Sequence, residues 1–189
     1  MKKQVLGLSM LASLVMGMAG MAHASESATV TFTGEIAKAS CDVSVNGSGN
    51  IPLGSFVPTD FTLNQPLTES AKTTTLTFGN CHGEDIAKGG VISLKASPTE
   101  NAPAFTTAGL FGDGASASTN VGVSLKAKVK DQEDDLKPDG LLAIFTAADD
   151  TPAASAVIDP VVLTAALQSI ATPKPGAVKS TVVFSAVYP

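Results

Sequence analysis

Few residues in this 189-residue chain could do covalent or acid–base chemistry. Cys81 and His82 are adjacent and could in principle pair as thiolate and imidazole. Neighbours on a strand point to opposite faces, however, and Cys41 is a competing partner for Cys81. A Ser-His-Asp triad would have to use His82, because the other histidine, His23, lies in the apolar leader. There is no GxSxG, no GxGxxG after a strand and no phosphate-binding loop. Asp131, Glu133, Asp134, Asp135 and Asp139 form an acidic cluster, but the glycine comes late and no glutamate closes a calcium loop. A solvated hairpin tip is the expectation there. Asn46-Gly47-Ser48 matches a glycosylation sequon and equally well a turn. A metal site would need more ligands than one histidine and no CxxC provide. The reading is no catalytic residue, no metal and no cofactor.

The leader supplies the context. Lys2 and Lys3 precede an apolar run from Val5 to Met21, and Ala22-His23-Ala24 is a small-x-small cleavage signal before Ser25. Residues 1–24 therefore read as a signal peptide; the run is short for a transmembrane helix. An exported chain with two cysteines reads as one Cys41–Cys81 disulfide, with two buried thiols as the alternative. Removing the leader leaves 10 lysines against 17 carboxylates and no arginine. Nucleic acid would call for a basic face, so it is excluded as a partner. The remainder is one domain's worth of chain.

The elements that must position these residues are strands. The segments 28–37, 41–45, 73–81, 89–96 and 120–130 alternate or are rich in Thr and Val, with turn residues between them. Residues 98–119 read as a long irregular connection, 131–140 as a polar turn and 141–147 as a short apolar run. Residues 156–171 fit a strand or a helical turn. The pattern predicts an all-β, two-sheet sandwich with Greek-key connections.

The two ends are the most informative. Ala28, Val30, Phe32, Gly34 and Ile36 fall on one face of a strand before the first cysteine, with Thr29, Thr31, Thr33 and Glu35 opposite. This is either an ordinary first strand or an arm that packs into something else. Gly34 favours the arm, since a strand-interior glycine suits close backbone approach. The final segment alternates Val182, Phe184, Ala186 and Tyr188 with Thr181, Val183, Ser185 and Val187. A strand apolar on both faces is expected to have neighbours on both sides.

These residues resemble the subunits of chaperone–usher fimbriae, in particular the type 1-like pilins. The features that carry the resemblance are the signal peptide, "TVTFTGEIAKASC" (29–41), "FGNC" (78–81), "STNVGVSL" (118–125), Gly176 fourteenth from the end and Tyr188 penultimate. Pro189 departs from the pattern as the last residue but keeps the terminal carboxylate.

The resemblance implies an incomplete immunoglobulin-like sandwich lacking its last strand, completed by a donor strand from a neighbouring subunit. It divides the chain into a signal peptide (1–24), a donor arm (25–38) and a pilin domain (39–189). Ala28, Val30, Phe32, Gly34 and Ile36 would be the donor-strand residues. Gly176, Val182, Phe184, Ala186 and Tyr188 would mark the C-terminal strand that faces the chaperone and then the donor. The implied partners are other fimbrial subunits, a periplasmic chaperone, an outer-membrane usher and a host receptor. The implied location is the cell surface, reached through the periplasm. A major, repeating subunit supporting adhesion is expected. A minor, adaptor or receptor-binding subunit is the alternative, and a secreted sandwich enzyme is disfavoured for want of a usable histidine.

Overall fold

The computed structural model describes residues 38–188. The signal-peptide and donor-arm readings, apart from Lys38, lie outside the described residues.

Strand formation follows the alternation. In β4 (Val121–Val129) Val121, Val123, Leu125 and Ala127 are buried, while Lys126 and Lys128 are exposed. The ambiguous segment 156–171 becomes strand β7 (Val161–Ser169), paired on both sides and burying Val161, Leu163 and Leu167. Its β-branched start and its two flanking ladders outweigh any helical turn. The other strands are β1 (Ala39–Asn46), β2 (Lys72–Gly83), β3 (Val91–Pro98), β5 (Gln132–Leu136), β6 (Leu141–Thr146) and β8 (Val182–Tyr188).

All pairings are antiparallel, in the order β5-β4-β7-β2-β1-β8-β3-β6. The eight strands fold over one core. Leu76, Leu125 and Leu163 from one layer pack in the same cluster as Leu94, Ile144 and Ala186 from the other. β1 belongs to both layers: it pairs with β2 along its length and with β8 only at Ala39, Ser40 and Cys41. The result is an all-β, immunoglobulin-like sandwich.

Two segments differ from the sequence reading. The connection 98–119 holds two short helices, α1 (Pro103–Ala108) and α2 (Gly114–Thr119). Phe105 of α1 is fully buried in a small second core with Ala102 and Leu110. The acidic run is strand β5 rather than a hairpin tip. The turn sits earlier, at Lys130, whose φ is 55°. Lys126 and Lys128 lie opposite Asp135 and Glu133, so alternate charge across the ladder supports the pairing.

Candidate functional site

The two cysteines are joined: Cys41 and Cys81 form a disulfide across β1 and β2, with 3.9 Å between their Cα atoms. Cys81 is thereby removed as a nucleophile. His82 is exposed, with Nδ1 3.1 Å from the Asn80 carbonyl. Among the described residues no group of three His, Cys, Asp or Glu side chains is placed to hold a metal. Gly83, at the end of β2, has φ of +122°, and a Cβ there would collide with the carbonyl of Lys38. Glycine at this position lets β2 lie flush against the point where the chain enters β1.

The notable feature is a groove beside β8. The C-terminal end of β8 has β3 on one side and the start of β1 on the other. Lys38 extends that second ladder, donating its N–H to the Tyr188 carbonyl at 2.9 Å. Past Cys41, β1 diverges with β2, and among the described residues the first half of β8 keeps only β3 as a strand neighbour. The vacated lane opens into a cavity of about 750 Å³. One wall is Gly176–Ser180 with Val182 and Phe184. The opposite wall is the segment after β1, including Ile51, Leu53, Phe56 and Phe61. The floor is the inner face of the other layer, lined by Val121, Val123, Leu125, Ala165 and Leu167, of which all but Ala165 are buried. Thus the groove runs beside β8 with the apolar core as its floor.

Of the five C-terminal residues singled out in the sequence, Gly176, Val182 and Phe184 line the groove. Ala186 is fully buried in the core beyond the groove's end. Tyr188 lies past it, with the Lys38 ammonium 5.5 Å from its ring centre. Val183 points to the outer face and is 52% exposed. The inward face of β8 is therefore the even-numbered one. The strand is flanked on both sides only over its last few residues.

The groove wall that precedes β8 is irregular, yet it is held firmly by α2. Asp113 N–H donates to the Lys179 carbonyl (3.1 Å), Lys174 N–H to the Thr119 carbonyl (2.9 Å) and Asn120 Nδ2 to the Thr172 carbonyl (2.8 Å). A Cβ on Gly176 would sit 2.6 Å from Thr119 Cγ2. The sequence reading missed both α2 and the 49–61 wall. Asp113, three residues before Ser116, is the available signal for α2, since Asp is a preferred N-cap. The 49–61 wall carries no periodic pattern.

A search of curated proteins finds no match to the chain. The model of one family, described as fimbrial protein, matches residues 30–188, which takes in every described strand. A sandwich of this fold, one disulfide tying β1 to β2 and a matching family model over most of its length place this chain in the fimbrial protein family, as a structural subunit of a cell-surface appendage.

Proposed function

We propose that the chain is a major, repeating fimbrial subunit that polymerises by donor-strand exchange. The observation that carries this reading is the groove beside β8, where an open lane runs over an apolar floor of core residues. An open strand edge above an apolar floor is an aggregation hazard, so a soluble life requires it to be covered. An extended segment with alternating apolar side chains is the natural cover. It would complete the ladder on β8 and drop every second side chain onto the floor. Val30, Phe32 and Ile36 of a neighbour have the spacing for this, with Gly34 where the slot is shallow. Each such side chain contributes about 1.5–3 kcal/mol on burial, so release would be slow. Before assembly a periplasmic chaperone lends the strand, and the exchange takes place at an outer-membrane usher.

The test compares the melting temperature of residues 39–189 with that of the same protein carrying Ser25–Lys38 after Pro189 through a flexible linker. A large rise on adding the arm is expected. A bare domain that is already stable, and gains nothing, would overturn the reading. Two unstable proteins would mean that the groove takes a different subunit's arm, which makes this a minor or adaptor subunit.

A further inference from the structure

Among the described residues, β1 closes one end of the groove. β1 fills the lane beside Ala186, Val187 and Tyr188, so a strand entering the lane stops at Ser185. The open end lies beside residues 174–180, where the lining chain reaches the pole formed with α2. An arm that inserts must therefore leave by that pole, with its last residues beside Lys179 and its first near Ser185. The lane beside residues 177–185 takes about nine residues of strand, at roughly 3.3 Å each. The alternating stripe from Ala28 to Ile36 has that length. Ala37 and Lys38 are then all that joins the inserted stripe to the body of the copy that donates it. Two residues span at most about 7 Å, so the donor's body is drawn against the acceptor's open pole.

The charges on the two surfaces are opposite. Among the described residues, the charged ones lining the groove are both lysines, Lys174 and Lys179, and both are exposed. Neither ammonium forms a salt bridge among the described residues, although Asp113 lies near enough to interact with Lys179. On the donor side the arm root is bound to an acidic turn: Glu84 N–H donates to the Lys38 carbonyl at 2.8 Å. Glu84 and Asp85 are exposed, and neither side chain has a partner among the described residues. The nearby Lys88 is already engaged with Asp149 at 3.4 Å.

We infer that the Glu84–Asp85 turn of one copy docks against Lys174 and Lys179 of the next, a polar latch at the mouth of the groove that guides the arm into it. This inference rests on the donor-strand reading above. Complementary rim charges act mainly on the rate of encounter and on its salt dependence.

The experiment uses the mature chain, Ser25–Pro189, refolded at low salt. Growth of a detergent-resistant polymer ladder is timed for the unmodified chain, for Glu84→Lys/Asp85→Lys, for Lys174→Glu/Lys179→Glu and for all four together. Each double reversal is expected to slow growth about tenfold, and the fourfold variant to return to within about twofold. The differences should vanish at high salt. A synthetic peptide of Ser25–Lys38 serves as control for the groove itself, read as a rise in melting temperature of the same chain. If the peptide stabilises the chain but charge reversal leaves the rate unchanged, the latch is overturned and the donor-strand reading stands. If the fourfold variant stays slow, the contact between these two patches is likewise overturned. If the peptide stabilises the chain but no ladder forms, the partner is not a second copy. If neither peptide binding nor a ladder is seen, both readings fall.

Discussion

Ser116 and Lys179 are joined twice. Ser116 Oγ accepts the Lys179 N–H at 2.8 Å and donates toward the Lys179 carbonyl at 2.9 Å. Its single proton is shared with the carboxylate of Asp113, 2.8 Å away. The buried hydroxyl thus joins α2 to the groove wall across a gap of 63 residues in sequence. Ser116→Ala leaves Lys179 N–H without its acceptor. A cost of about 1 kcal/mol is expected for losing this part-buried hydrogen bond. Amide exchange of residues 177–181 should quicken more than that of β3, which is away from the link. Uniform loss across the sheet would argue that the link supports the whole fold rather than the wall.

Asp113 adds a pH dependence to the same wall. Hydrogen bonds from the Ser116 backbone and hydroxyl hold its carboxyl below the ordinary value of 3.8. A depressed folded value means that its stabilisation is complete above 3.8 and is lost as pH falls through the folded value. Thermal unfolding of Asp113→Ala should therefore lie below that of the unmodified chain at neutral pH. The gap should close as the medium is acidified below about pH 4. A gap independent of pH would assign the effect to lost packing alone.

Gly176 and Thr119 give a paired test. The glycine's Cα hydrogen faces Thr119 Cγ2, and an added Cβ would be 2.6 Å from that methyl. Gly176→Ala should cost about 1–3 kcal/mol as an overpacked contact. Thr119→Ser removes the methyl while keeping the hydroxyl that donates to the Ser116 carbonyl at 2.7 Å. The double variant should recover most of the loss in a denaturant titration. Additive losses would place the strain elsewhere in the loop.

How far the sequence disclosed this arrangement depends on what fixes each part. β4 was legible because Val121, Val123, Leu125 and Ala127 alternate with polar residues, and one face is all that the core needs. The disulfide was legible because a leader that reads as an export signal leaves two cysteines few other uses. β5 was not: in Gln132–Leu136 four of five residues are exposed, and only the opposing lysines of β4 make the run a strand. The slot itself was foreshadowed by a final strand apolar on both faces, but its second wall was not. Residues 49–61 are held by packing of Leu53, Phe56 and Phe61 against the core, and their own pattern of Gly, Pro and isolated Phe is that of a loop.

The disulfide should matter more than its area suggests. It closes a ring spanning 40 residues between two strands that are already neighbours. In the chain-entropy description such a ring lowers the freedom of the unfolded chain by about 4 kcal/mol. Cys41→Ser with Cys81→Ser should shift the urea midpoint downward, with a somewhat steeper slope because the released unfolded chain exposes more surface. An unchanged midpoint would mean that β1 and β2 are ordered in the unfolded ensemble without it.

On the donor-strand reading growth uses the lane beside β8, and β5 shows how another edge is kept out of it. β5 is the outermost strand of its layer, and among the described residues its outer side has no strand partner, as in the lane beside β8. The difference is charge. Glu133, Asp134 and Asp135 are exposed along β5, with Lys126 3.1 Å from Glu133, whereas the β8 lane is apolar. Two copies meeting through β5 would bring like charges together without the counter-charge of β4. Glu133→Thr, Asp134→Thr and Asp135→Thr together should leave the sandwich folded, since none of the three is buried. The variant should nevertheless gain an association that does not require residues 25–38. Light scattering of the variant with the arm deleted reads this directly. Aggregation that appears only when the arm is present would show that β5 is protected by its shape and not by its charge.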